Sequence, residues 1–402
     1  MPDLNLLKQI LEATHNEWDR PSTRPAVRKG FAAVLDCRTA TLGWEVYASD
    51  SEEKRCYHTC KSRFCPSCGY RATLLWLEKQ EAALPDIPYA GVVFTMPREL
   101  WSIFKRNRHL LHDLSDLGAS VIQQWIKSKY GVSVLVMVVP HTFGGDLKFN
   151  SHLHILVSAG GLRESSAQWI PHLQLEKGPL MRMWRYAVIS HLRSALKAGV
   201  LRSDLSTQAL QRLLSTAYQN ERHPRWIIFL HKIASKSHFL RYAARYVRRP
   251  PIASWRLLEV TDCEVVFVAK DTKAGRLVPT RSRLSEFVRL LAQHVPDLYR
   301  HAIRYFGLLA PSAKGNKWAG LFVALSQEMK TPPPRLSWRD SREILRVRST
   351  HRQPGAGDAL GSKGKTRQSS VSSSRNCKFH SLPLESFLFL WFHPHSVVSC
   401  AS

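Results

Sequence analysis

The sequence contains no long apolar run. A helix that crosses a bilayer needs roughly 20 consecutive apolar residues, and the longest run near the end of the chain, Phe387–Phe392, is far shorter. The amino terminus also lacks the pattern of an export signal, because Leu4, Leu7 and Leu11 follow the spacing of an amphipathic helix and acidic residues lie among them. We therefore expect a cytoplasmic protein whose cysteines are reduced thiols or metal ligands and do not form disulfides.

Acidic residues are scarce compared with basic ones. Asp and Glu number 31 against 58 Lys and Arg, so the formal net charge is +27. A field of this size attracts polyanions, and contacts with the phosphates of a nucleic acid are its usual purpose. A solvated basic surface that only maintains solubility is the alternative. The length of 402 residues allows two or three domains.

Cysteines cluster near the amino terminus in RCYHTCKSRFCPSCG, with one more upstream. Two thiolates separated by two residues and followed by glycine form a zinc knuckle, and four ligands close a structural tetrahedral site. We expect Cys60, Cys65 and Cys68 to bind zinc. Cys56, Cys37 and His58 compete for the remaining position, and buried free thiols are the alternative to a metal site.

Three strand-like runs follow: AGVVFTM, VLVMVV and HLHILV. The last two are joined by a segment with the turn residues Gly144-Gly145-Asp146, so we expect an antiparallel pair. Alternate side chains of a strand share a face, which places His152 and His154 on one side. Two imidazoles on one face can bind the same cation, although two polar side chains on a solvated sheet face would produce the same pattern.

The segment SHFLRYAARYVRRPP predicts a helix over roughly 232–249 that ends before Pro250-Pro251. Its packing stripe is Leu240, Ala243, Ala244 and Val247, and His238, Tyr242 and Tyr246 share the opposite face. Aromatic residues in a helix are usually core residues, but here the core face is already occupied. Four arginines flank the tyrosines and would bind DNA phosphates or stabilise a phenolate: Arg241, Arg245, Arg248 and Arg249.

Five of these motifs, in order, resemble the two-tyrosine HUH transposases of rolling-circle insertion sequences. CKSRFCPSCG is similar to the family's zinc-binding module, and VVFTMPREL to its first strand. HTFGGDLKFNSHLHILVSAGGL is similar to the histidine-hydrophobe-histidine motif, RYAARYVRRPPIA to the tyrosine motif, and HAIRYFGLLAP to a stretch near the family's carboxyl-terminal end.

The resemblance implies an α+β fold. An HUH endonuclease palm, an antiparallel sheet with helices, would follow a small zinc-binding module and precede a disordered tail. The expected domains are an N-terminal helix with the zinc-binding module at 1–85, the catalytic domain at 86–312 with a helical insertion at about 166–225, and a mostly disordered extension at 313–402.

The resemblance also implies the chemistry. Tyr242 and Tyr246 would be nucleophiles that attack single-stranded DNA at the ends of the element and at the target, forming a 5′-phosphotyrosine and a free 3′-OH. His152 and His154 would hold a catalytic Mg²⁺ or Mn²⁺, with His238 or Asn150 as the third ligand, and the zinc would be structural.

Two other functions fit parts of the pattern. A rolling-circle replication initiator shares the nicking chemistry, but the zinc module and the RYFGLLAP segment favour the transposase. A non-catalytic, zinc-dependent DNA-binding protein would retain the basic charge and the cysteines without cleaving DNA.

Overall fold

The structure is a computed structural model that describes residues 4–48, 53–219, 226–247, 250–271, 275–330 and 348–352. The chain forms two compact units, one of Met1–Cys37 and Thr59–Trp338 and the other of Arg38–His58 and Arg339–Ser402. Most of the predicted disordered tail lies outside the described residues. Within it, Arg348–Arg352 forms a strand.

Helices and strands are interspersed along the described residues. The helices are α1 Asn5–Ala13, α2 His15–Trp18, α3 Pro25–Asp36, α4 Pro66–Ala83, α5 Trp101–Arg106, α6 Arg108–Tyr130, α7 Lys177–Lys197, α8 Thr207–Gln219, α9 Lys236–Ala244, α10 Leu284–Ala292 and α11 Pro311–Ala324. The strands are β1 Trp44–Ala48, β2 Glu53–Tyr57, β3 Tyr89–Phe94, β4 Leu135–Phe143, β5 Phe149–Ser158, β6 Gly161–Arg163, β7 Gln168–Ile170, β8 Ile228–Ile233, β9 Leu257–Val260, β10 Glu264–Lys270, β11 Leu277–Arg283, β12 Arg304–Gly307 and β13 Arg348–Arg352.

The first unit is built on a five-stranded antiparallel sheet with the order β12-β4-β5-β3-β8. The predicted pairing of VLVMVV with HLHILV is confirmed, because β4 and β5 are antiparallel neighbours. The sheet and its helices confirm the predicted α+β class. Among the described residues, no helix is both long enough and apolar enough to cross a membrane.

The two faces of this sheet differ in character. One face contributes Phe94, Leu153 and Ile155 to a hydrophobic core that also contains Leu114 of α6 and Trp184 of α7. The residues that alternate with these along each strand point to the opposite side of the sheet. We call this opposite side of the sheet, with His141, His152 and His154, the histidine face.

Helices α9 and α4 cover the histidine face. Phe239 of α9 packs on Tyr89 of β3 with 4.1 Å between ring centroids, and Trp76 of α4 donates its indole N–H to the hydroxyl of Tyr305 on β12 at 2.9 Å. The side chains of Tyr242 and Tyr246 are therefore half-buried between protein layers, and neither is fully solvated.

The predicted helix over 232–249 was too long at its start. Residues Ile228–Ile233 form the edge strand β8, which pairs with β3. The helix begins only after Ser235, whose hydroxyl accepts a hydrogen bond from the backbone N–H of His238 and caps the first turn. Hydrogen bonding to a sheet edge thus overrides the helical periodicity at this position.

A second core joins the amino-terminal helices to β9, β10 and α10. Phe31 of α3 lies between Trp18 and Phe64, with ring centroids 5.5 and 5.1 Å away. Cys37, Cys65 and Cys68 are buried in the same core. The cysteine-rich loop is therefore anchored on a hydrophobic support. The second unit contains a three-stranded sheet with the order β13-β1-β2.

Candidate active site

Three imidazoles converge on the histidine face. His141 of β4 lies opposite His152 of β5 in the antiparallel register, and His154 follows two residues along the same strand. One ligand atom of each lies within 4.8 Å of the others. His141 and His154 are buried, and His152 is half-buried. We refer to these three residues as the histidine trio. Its nitrogen donors suit a first-row divalent cation.

Hydrogen bonds determine which nitrogen of two rings can bind a cation. The Nδ1 of His152 donates to the carbonyl of Asn150 at 2.8 Å, so its Nε2 carries the lone pair. The Nε2 of His141 donates to the carbonyl of Tyr246 at 2.8 Å, which leaves the lone pair on Nδ1. Burial lowers the pKa of His152, although the bond to Asn150 acts in the opposite direction. The neutral form, which is the one that binds metal, is thereby favoured.

His238, the predicted third ligand, does not join the histidine trio; the third imidazole is that of His141. His238 is exposed in the first turn of α9, and its ring hydrogen-bonds to the Ser235 hydroxyl at 3.0 Å. Asn150, the other candidate, lies on the same side of β5 as His152. Among the described residues, its buried Oδ1 has no hydrogen-bond partner.

Tyr246 lies directly against the histidine trio. Its ring stacks on His154 with 3.7 Å between centroids and an interplanar angle of 22°. It follows the end of α9 in a turn closed by hydrogen bonds to Ala243. The packing stripe predicted for this segment is buried, as Leu240, Ala243, Ala244 and Val247 are each at most 9% exposed.

Tyr242 lies beside Tyr246, with 5.0 Å between ring centroids. Burial raises the pKa of the Tyr242 phenol, the Tyr246 hydroxyl raises it further, and Arg245 partly offsets the rise. The ring rests on Gly91 of β3, where a Cβ would lie 3.1 Å from Cε1 of Tyr242. Glycine therefore allows the tyrosine to approach the sheet this closely.

The flanking arginines lie at the edge of the site. Arg241 is exposed on α9 and Arg245 is exposed just after its end, where the Arg245 guanidinium is 5.9 Å from the ring centroid of Tyr242. Arg248 and Arg249, also predicted to bind DNA, lie outside the described residues.

Four thiols form a second group, made of Cys37, Cys60, Cys65 and Cys68. Three of the sulfur–sulfur distances are 3.7 Å for Cys37–Cys68, 3.6 Å for Cys60–Cys68 and 3.8 Å for Cys65–Cys37. A tetrahedral zinc with bonds of about 2.3 Å has edges of about 3.8 Å. The spacing therefore fits zinc. Hydrogen bonds from Cys60 and Cys65 lower the pKa of Cys37 to about 7, which favours the thiolate.

The other two candidates for the fourth zinc ligand, Cys56 and His58, are not part of the thiol group. Cys56 is exposed on β2, and the ring of His58 contacts the carbonyl of Leu42 at 3.0 Å and the carboxylate of Glu45 at 3.3 Å. Cys37 completes the group because α3, which precedes it, packs in the same core as the knuckle.

Helix α4 connects the thiol group to the tyrosines. It begins directly after Cys65 and carries Cys68 in its first turn. One turn later, the buried hydroxyl of Thr73 is 2.9 Å from the Gly69 carbonyl and 3.0 Å from the carbonyl of Val247, the residue after Tyr246. This contact could not be predicted from the sequence, because Thr73 and Val247 are far apart along the chain.

Comparisons with known proteins agree with this arrangement. A family described as "Transposase zinc-binding domain", of the IS91 type, matches residues 7–96, and one described as "Putative transposase" matches residues 135–317. No solved structure matches the chain significantly.

Two curated relatives extend over most of the chain. "Putative transposase y4qJ" of Sinorhizobium fredii is 31% identical over 83% of this chain and 87% of its own length. "Transposase for insertion sequence element IS801" of Pseudomonas savastanoi pv. phaseolicola is 31% identical over 75% of each chain. The chain therefore belongs to the IS91/IS801 family of insertion-sequence transposases, with its characteristic N-terminal zinc-binding domain.

Proposed function

We propose that this transposase cuts and rejoins single-stranded DNA through a tyrosine that becomes bonded to the 5′ phosphate of the cut strand. One observation carries the proposal: the Tyr246 ring stacks on His154, within the group that also contains His141 and His152. A nucleophile and the ligand set for a cation therefore share one surface.

The histidine trio would hold one Mg²⁺ or Mn²⁺, and imidazole nitrogens favour Mn²⁺ of the two. The bound cation would withdraw charge from the scissile phosphate and make it more electrophilic. The protein contributes the orientation of the rings, because the hydrogen bonds to Asn150 and Tyr246 fix two of the three tautomers.

The chemical step is an exchange of phosphate esters. The tyrosine oxygen forms a bond to phosphorus, the bond from phosphorus to the 3′ oxygen breaks, the phenol proton passes to water, and the departing oxygen takes up a proton. The new ester retains the energy of the phosphodiester, so a later attack by a 3′-OH rejoins the strand without ATP.

Two adjacent tyrosines support two successive transfers, as rolling-circle transposition requires. Tyr242 and Tyr246 lie side by side with 5.0 Å between ring centroids, and burial together with the Tyr246 hydroxyl raises the pKa of Tyr242. Arg241 and Arg245 would hold phosphates at the entrance of the site. We place the reaction in the cytoplasm, and we assign catalysis to a domain over 86–312 that follows the zinc-binding module at 1–85.

The test is cleavage of labelled single-stranded DNA from the ends of the element, followed on a denaturing gel in Mn²⁺. Replacing both His152 and His154 with Ala should lower cleavage by about 100-fold and leave DNA affinity within a few-fold, because the imidazoles serve chemistry and the basic residues serve binding. His141→Ala should behave in the same way.

His238→Ala is the matched control, since it removes an exposed imidazole outside the histidine trio. It should retain cleavage within about twofold. Undiminished cleavage by the variant lacking both His152 and His154 would contradict the proposal.

A further inference from the structure

A basic cleft opens beside Tyr246 and His141. Both residues line it, together with three arginines, one carboxylate and three further imidazoles: Arg63, Arg108, Arg300, Asp297, His112, His294 and His301. Its cavity volume is about 110 Å³, smaller than pockets that hold drug-sized ligands. We propose that this basic cleft binds a backbone phosphate of the DNA strand that flanks the scissile phosphate. The inference rests on the proposed function, because the reacting strand must pass Tyr246.

The charges that line the basic cleft favour an anion. Within the described residues, three arginines line it against one carboxylate, that of Asp297. This carboxylate is also contacted by Arg24, Arg108 and His112. Burial opposes its ionisation, but the bond from His112 and the charge of Arg108 outweigh the burial and hold the pKa of Asp297 well below its usual range. Positive charge therefore remains in excess.

The zinc knuckle supplies one wall of the basic cleft. Arg63 lies in the loop between Cys60 and Cys65, and its guanidinium donates to the carbonyl of Asp297 at 3.2 Å. Arg108 is fixed from α6 by bonds to Asp297 and to the carbonyl of Gln293 at 3.0 Å. Ordering these side chains beforehand lowers the entropic cost of binding a phosphate.

The opposite wall of the basic cleft contains Tyr246, one of the two proposed nucleophiles. His141 belongs to the histidine trio and also lines the basic cleft, and its ring donates a hydrogen bond to the carbonyl of Tyr246. A strand whose phosphate lies against Arg63 and Arg300 would therefore pass Tyr246 within neighbouring nucleotides. The experiment must exclude a purely structural role for these arginines. In that alternative, the ion pairs of Asp297 with Arg24 and Arg108 would only connect the start of α3 to α6.

The test uses the full chain with both Tyr242 and Tyr246 changed to Phe, which preserves every charge and cannot form the proposed adduct. Affinity is measured for single-stranded oligonucleotides from the element's ends, each with one uncharged methylphosphonate linkage at a different position. We expect one or two linkages at which loss of the charge weakens binding about tenfold, the value typical of a charge-assisted hydrogen bond.

Adding Arg63→Gln and Arg300→Gln to the variant with both tyrosines changed should abolish that sensitivity. A methylphosphonate at the same linkages should then weaken binding by less than about twofold. The matched control is Arg281→Gln with Arg289→Gln, which removes the same charge from exposed side chains outside the basic cleft; it should keep the sensitivity. Arg300→Gln alone changes an exposed residue outside the zinc knuckle, so it should not disturb the folding of the knuckle. It should partly reduce the loss of affinity that the methylphosphonate causes.

An unchanged methylphosphonate profile in the Arg63→Gln/Arg300→Gln variant would overturn the inference. The measurement needs binding only, so it stays informative if the native chain fails to cut DNA. Failure to cut would refute the proposed nuclease reaction, whereas an unchanged profile would refute the phosphate site.

Discussion

Gly91→Ala should impair Tyr242 selectively. The added Cβ would lie 3.1 Å from Cε1 of Tyr242, 3.2 Å from Cζ and 3.3 Å from the hydroxyl. Ordinary contacts of this kind begin at 3.4 Å, so the ring must retreat by about 0.3 Å from the 3.1 Å contact. A misplacement of 1 Å costs a catalytic group roughly 100-fold. On that scale we expect about a fourfold loss of DNA adduct at Tyr242.

Stability should change little in the same variant. Alanine in a strand is favoured over glycine by roughly 0.5–1 kcal/mol, and this gain offsets part of the steric cost. The assay measures the covalent adduct in two backgrounds, Tyr246→Phe, which leaves only Tyr242, and Tyr242→Phe, which leaves only Tyr246. Gly91→Ala should lower the adduct about fourfold in the first background and less than about 1.5-fold in the second.

Gly118→Ala provides the control for a general packing defect. Its Cβ would lie 2.5 Å from Cδ1 of Leu153, on the core side of the sheet. Overpacking of this kind costs about 1–3 kcal/mol, so Gly118→Ala should lower the urea midpoint and leave the ratio of the two adducts unchanged. Equal losses at both tyrosines in Gly91→Ala, or no loss at Tyr242, would refute the steric argument.

Three further predictions address the supports of the site. Cys37→Ser should remove the tightly bound zinc, whereas Cys56→Ser should retain about one zinc per chain in elemental analysis. Thr73→Val, which removes the hydroxyl near the Val247 carbonyl, should cost about 1 kcal/mol and reduce adduct formation, and Thr73→Ser should restore both. Burial lowers the pKa of His294 to about 4. The contribution of this neutral imidazole to the free energy of unfolding is therefore complete above about pH 6.5 and should be lost as the pH falls towards 4, a loss of about 3 kcal/mol. In urea titrations, the His294→Gln variant should lack this part of the acid sensitivity.

The strands and the knuckle could be predicted because their information is local. Alternation in HLHILV determines that His152 and His154 share a face, and the C-P-x-C-G spacing identifies the cysteine-rich loop. The zinc-binding domain, predicted from the cysteine spacing, and the α+β class, which the family resemblance implied, are both confirmed.

The remaining parts of the site depend on pairing between distant segments. His141 reaches the histidine trio only through the register of β4 against β5, which places it opposite His152 just before a bulge. Cys37 joins the thiols through the packing of α3. His238 has helical spacing to the tyrosines, but the cap at Ser235 holds it in the exposed first turn. Periodicity could not reveal these constraints.

The most direct test of the catalytic site is to identify the residue that carries the DNA. The wild-type chain is incubated with single-stranded DNA from the element's ends in Mn²⁺, digested with protease and nuclease, and analysed by mass spectrometry. Our account predicts a nucleotide attached through its 5′ phosphate to Tyr242 or Tyr246, and no such peptide from the variant with both tyrosines changed to Phe. Attachment at another residue, such as Tyr186 or Tyr218, or cleaved DNA with no linked protein, would contradict it.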